Sequence, residues 1–98
     1  MKFKVYQAES EIREVEIDLT IEVSEDQLLD LIFLKGQNEI DPQPHPSVSV
    51  GDVIELAPDR LFVVKSIGFA QTTRDFLEEL AALPMSDRWH YLHDREIV

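Results

Sequence analysis

Carboxylates are the side chains this chain offers chemistry in quantity. Glu14, Glu16, Asp18 and Glu22 hold even positions of one short stretch, while Val15, Ile17, Leu19, Ile21 and Val23 hold the odd ones. On an extended strand, same-face neighbours two residues apart lie ~6.6–6.8 Å from each other. That repeat is of the order of the phosphate spacing along a nucleic-acid strand, so the row could imitate a backbone inside a basic channel. An inhibitor of a DNA-binding defence enzyme, of the anti-restriction or anti-CRISPR type, would need such a row. The same row is equally an ordinary solvated strand face, offset in part by Lys2 and Lys4.

Other chemistry is poorly served. His90 and His93 stand three apart on an expected helix, with Glu96 beyond them. Two imidazoles at that spacing can meet one ion, but no third ligand comes from elsewhere, and no metal is expected. Ser47, Ser49, Ser66, Lys65 and His45 occupy neither a nucleophile elbow nor a triad spacing. The only glycines are Gly36, Gly51 and Gly68, so no phosphate-cradling loop exists. No catalytic residue and no cofactor are assigned, and an enzyme is not expected. Arg88, Trp89 and Tyr91 could form a partner hot spot on a terminal helix. Packing of Trp89 back onto the sheet is the favoured expectation, because a small domain needs the buried area.

Composition agrees with a binding role. The 98 residues carry nine Lys and Arg against twenty Asp and Glu, a net charge of −11. Residues 1–41 alone hold eleven carboxylates against four bases. Such a surface repels nucleic acid and steers basic protein partners toward itself. With no cysteine, disulfides and thiolate chemistry are excluded. No apolar run reaches the ~18 residues of a membrane span, and MKFKVYQAES has no signal-peptide core, so a cytoplasmic setting is expected. One domain of this size can bury about 65% of its unfolded surface, enough for a modest core.

The elements that must position these residues follow from periodicity. Lys2–Ala8 and the alternating stretch to Val23 predict an antiparallel hairpin turning near 9–11. Its expected register sets Val5 opposite Val15, Phe3 opposite Ile17, Lys4 against Glu16 and Lys2 against Asp18. Ser24 and Gln27 form a capping box, and Leu28, Leu29, Leu31, Ile32, Phe33 and Leu34 predict a well-covered helix ending at Gly36 as a left-handed cap. Pro42, Pro44 and Pro46 make the next connector an extended link, or a docking strip for an aromatic groove. Strands are expected over 47–56 and 60–69, joined by a turn at Pro58-Asp59, with Gly51 marking a bulge or a close backbone approach. Val53, Ile54, Leu56, Leu61, Val63, Val64 and Ile67 are their expected core residues. Thr72 or Thr73 caps a helix stopped by Pro84, and Ser86 caps a second. The sum is a single α+β domain over 1–98, with about four mainly antiparallel strands, one helix between the strand pairs and a C-terminal helical element.

The central residues carry a resemblance. Residues 28–38, the phrase Ser47-Val48-Ser49-Val50-Gly51-Asp52-Val53-Ile54-Glu55-Leu56, and a strand closing on Gly68-Phe69 resemble the YodL-like domain family. The likeness covers roughly residues 28–70, and Gly51 stands where the family's phrase usually has serine. It implies a small protein of bacteria or their phages and plasmids, with no catalytic residues to carry over. The Gly51-Asp52 corner also looks like part of a PUA or ASCH-like barrel, which implies RNA or nucleotide binding. The first expectation is a non-enzymatic interaction or regulatory protein that binds a protein partner with a basic surface. Mimicry of nucleic acid and a PUA-like binder are the alternatives.

Overall fold

The computed structural model describes residues 1–20 and 22–97. Within them five strands form one antiparallel sheet: β1 (Lys2–Tyr6), β2 (Ile12–Glu16), β3 (Val53–Ala57), β4 (Arg60–Val64) and β5 (Phe69–Thr72), in the order β2-β1-β3-β4-β5. Among the described residues three α-helices complete the α+β fold: α1 (Glu25–Lys35), α2 (Arg74–Ala82) and α3 (Met85–Asp94). None is long and apolar enough to cross a membrane.

The helices divide between the two sheet faces. Leu29 and Ile32 of α1 pack on Phe3, Val5, Val15, Ile54, Phe62 and Val64. Leu80, Leu92 and Ile97 cover Val53, Leu61 and Val63 from the other side. β4 is therefore buried on both faces, and its Leu61-Phe62-Val63-Val64 run reads continuously apolar. The hairpin β1–β2 has its core face under α1, and Lys2, Lys4, Glu14 and Glu16 on its other face are exposed. Val15 and Ile17 are inside and Leu19 is half-buried, as the alternation demands, while Glu14, Glu16, Asp18 and Glu22 are exposed. Ile21, also expected inside, lies outside the described residues.

Several expectations need correction. The hairpin register is displaced by two residues: Phe3 faces Val15, Lys4 faces Glu14, Lys2 faces Glu16 and Val5 faces Arg13. A single 3-10 turn at Ala8–Ser10, with Glu9 at φ 59°, sets this register, and the amide of Gln7 donates to the carbonyl of Glu11. β2 also ends at Glu16, and after the Ile17 amide donates to the Met1 carbonyl the later alternating residues lie outside the strand. The expected strand over 60–69 is split by a turn at 65–68, which creates β5 as a fifth strand and leaves Ile67 91% exposed. The strand expected over 47–56 begins only at Val53; its register irregularity falls between Glu55 and Ala57, and Gly51 marks a close approach to Leu92 rather than a bulge. Ser24 and Gln27 do form the reciprocal capping box, and Thr73 caps α2, but α3 follows Pro84 without a side-chain cap from Ser86.

Gly36 caps α1 with an ordinary φ of −77°, not a left-handed one. Its reason is space: a Cβ there would stand 2.3 Å from Val48 Cγ2. Arg13 is the other surprise, since it continues the inward odd series and is fully buried. Its guanidinium donates to Asn38 Oδ1 at 2.7 Å and to the carbonyls of Asp41 at 2.6 Å, Pro46 at 3.3 Å and His45 at 3.4 Å. The proline connector is thus wrapped around a cation. Its carbonyls, which prolines keep out of any ladder, become the acceptors.

Candidate interaction surfaces

The four carboxylates singled out by spacing do not form one row. Glu14 and Glu16 share the outer face of β2, where Lys4 and Lys2 stand directly across. Opposite charges in such cross-strand pairs offset one another. Asp18 and Glu22 lie beyond the strand, on the segment that leads into α1. The sheet edge at β2 is charged, which also discourages edge-to-edge pairing with another chain.

α1 supplies a surface that periodicity did not disclose. It was expected to be well covered, yet Leu31 is 36% and Leu34 54% exposed. The helix has six apolar residues from Leu28 to Leu34, and a single sheet face can take only some of them. Leu29 and Ile32 point inward, so Gln27, Leu31 and Leu34, at i, i+4 and i+7, point away. With Val23 and Asp30 these residues line a shallow groove of about 320 Å³. Glu22, Asp26 and Asp30 follow one another at four-residue spacing and are all exposed. An apolar strip is thereby bordered on one flank by carboxylates. The legible signal was an excess of leucines over what one face can bury.

The terminal helix was expected to bury its tryptophan, and it does not. Trp89 is 62% exposed. Tyr91 anchors the helix in its place: its ring lies 5.8 Å from that of Phe76, its hydroxyl donates to Glu79, and the Arg95 guanidinium sits 3.6 Å from the ring centroid. Burial and the Glu79 carboxylate push the Tyr91 hydroxyl above its usual pKa. Arg88 is half-buried and donates to the Gly51 carbonyl at 3.4 Å. Burial lowers its pKa, against the pull of nearby Asp52. Arg88 and Trp89 are therefore brought together, with Tyr91 turned to packing.

The phrase that carries the family resemblance sits against that helix. Residues 48–52 form a loop in which Gly51, at φ 93°, lets Leu92 pack where a Cβ would stand 2.6 Å from its Cδ1. Asp52 is buried, and its Oδ2 accepts from the Ser49 amide at 3.0 Å and from Gln7 Nε2 at 3.3 Å. Loss of water raises the Asp52 pKa to about 6, opposed by those two hydrogen bonds and by the Arg88 charge. Ser47 is used as structure, its hydroxyl accepting from the Asn38 amide.

Comparison with protein-family models, with curated proteins and with solved structures returns no match for this chain. The geometry must therefore carry the functional reading. His90, His93 and Glu96 are all exposed, and among the described residues no group of three His, Asp or Glu is placed to hold a metal ion.

Proposed function

We propose that this chain is a non-enzymatic interaction protein that captures a protein partner with a basic, apolar surface. The observation that carries this reading is the outward strip of α1, where Leu31 and Leu34 lie bare beside the stripe Glu22, Asp26 and Asp30. An uncovered apolar patch with a charged rim is the anatomy of an interface: apolar area supplies the attraction, and the rim selects the sign of the partner. The net charge of −11 adds long-range steering toward basic proteins. The resemblance to YodL-like domains supports a setting in bacteria or their mobile elements.

Mimicry of a nucleic acid draws less support. Only Glu14 and Glu16 keep the strand spacing, and each faces a lysine. Direct binding to RNA is opposed by the overall charge.

The reading is tested by immobilising the protein and capturing partners from a bacterial lysate at about 0.05 M and about 0.5 M salt, across which the screening length shortens roughly threefold. The captured set is expected to be basic and to be lost with L31K/L34K, and weakened with D26N/D30N. Capture that survives both double variants but disappears with E14Q/E16Q/D18N moves the interface to the hairpin and restores mimicry.

A further inference from the structure

The cavity between the 48–52 loop and α3 combines three kinds of recognition in a small volume. It is an open hollow of about 210 Å³ lined by Ser49, Val50, Asp52, Arg88, Trp89 and Leu92, with Ala8 at one side. Trp89 is the only tryptophan of the chain, and it contributes an exposed indole. Tryptophan is costly to leave in water, because its large apolar ring is the part that packing would hide. Arg88 keeps guanidinium N–H groups beyond the single one that reaches the Gly51 carbonyl. Asp52 uses Oδ2 for both of its hydrogen bonds, and no donor of the described residues reaches Oδ1. A carboxylate acceptor and a guanidinium donor therefore line one cavity beside a flat aromatic wall.

Size and charge narrow the ligand. Pockets for drug-sized molecules run to ~300–1,000 Å³, so about 210 Å³ accepts one fused ring system and little more. A chain of charge −11 repels phosphates, which selects against nucleotides and polynucleotides. A flat ring stacks on indole whatever its sequence context. A ring edge with adjacent N–H donors suits the Asp52 carboxylate, and a neighbouring carbonyl suits Arg88. Guanine carries that edge: its ring N1–H and 2-amino N–H lie side by side next to the C6 carbonyl. We propose that the Asp52–Arg88–Trp89 cavity binds an uncharged oxopurine, guanine or its nucleoside, with the ring against Trp89, the N–H edge on Asp52 and the carbonyl on Arg88. This site is separate from the α1 strip, so either can fail without the other.

The lone tryptophan makes the test direct. Guanosine is titrated into the full chain, excited at the red edge of indole absorption, up to the solubility limit of the nucleoside. In parallel the Trp89 indole N–H is followed by NMR. The expected result is saturable quenching and a shifted indole resonance, at least tenfold tighter for guanosine than for adenosine. Guanosine 5′-monophosphate binds more weakly than guanosine. R88Q and D52N each lose the saturable phase; should D52N fail to fold, R88Q alone decides the polar contact, with W89F retaining binding and W89A losing it by NMR of the loop amides. Quenching that rises linearly and equally for both nucleosides, or that R88Q leaves unchanged, overturns the proposal.

Discussion

Arg13 ties the hairpin to the connector with one forked cation, sharing the Pro46 and His45 carbonyls with Gln7 Nε2 and Asn38 Nδ2. Four acceptors converge on one fully buried guanidinium, and three of them are backbone carbonyls of the proline segment. Replacing it with methionine keeps the apolar stem but removes four charge-assisted bonds and orphans the Asp41 carbonyl at about 1–3 kcal/mol, while His45, Pro46 and Asn38 Oδ1 keep Asn38 Nδ2, Gln7 Nε2 and the Gln43 amide. R13M is expected to lose at least ~3 kcal/mol in urea denaturation, and R13K nearly as much, because an ammonium cannot fork toward several acceptors. A loss under ~1 kcal/mol would mean that the connector holds its own shape. Asp52 makes a prediction of opposite character. Its pKa rises from 3.8 to about 6 in the fold, chiefly through burial. Below the lower value both states hold the proton, so there is no penalty. Between the two values the native state retains a proton that the unfolded chain has released, so rising pH weakens the fold. The full effect is on the order of 3 kcal/mol, reached above pH 6. The stability of the wild type minus that of D52N is therefore expected to fall from about pH 4 to pH 6 and then level. A difference that stays flat across that window would show that Asp52 keeps an ordinary pKa.

At the scale of elements, close approach counts for more than backbone freedom. Gly36 has an unstrained φ, yet a methyl group there meets Val48 at 2.3 Å, whereas Gly68 has φ 76° and open space around it. G36A is expected to cost ~1–3 kcal/mol through overpacking, and G68A about 1–2 kcal/mol through its left-handed backbone. The two differ in their cure. V48A makes room for the methyl at position 36, so the double variant G36A/V48A is less destabilised than the sum of its parts, and no partner substitution rescues G68A. Strict additivity at 36 and 48 would refute the close-contact account. These residues also show what periodicity can and cannot convey. Alternation assigned the faces of β1 and β2 correctly, because a displacement of two residues leaves every side chain on its own face. Register was set instead by the compact turn at 8–10, where Glu9 occupies a conformation that no glycine or asparagine advertised. The odd series also ran back to Arg13, and an arginine at an inward position was the signal that acceptors had to be near. Which leucines of α1 stay bare, and that Trp89 does, was illegible for one reason: composition states how much could be buried, and only the layering of helices on the sheet decides which part is.

The whole molecule carries one field, and salt acts on it in two directions. A charge of −11 on 98 residues works against compactness, since folding gathers like charges together. The ion pairs that relieve it are mostly exposed: Glu25 with Arg60, Glu55 with Arg74 and Glu79 with Arg95. Such pairs contribute ~0–1 kcal/mol each, so screening them sacrifices little. Raising salt from about 0.01 M to about 0.1 M shortens the Debye length from ~30 to ~10 Å, which removes most of the repulsion between distant carboxylates. The fold is expected to gain about 1 kcal/mol, near 4–8 °C in Tm. The same change weakens capture of a basic partner, on the order of tenfold, because attraction between the proteins is screened alongside repulsion within this one. Opposite signs are the useful feature. If salt lowered both stability and capture, lost binding would only report a loosened fold; if it raised Tm while capture fell, the acidic surface itself would be what the partner reads. Thermal melts and capture assays on one protein stock, across one salt series, separate the two.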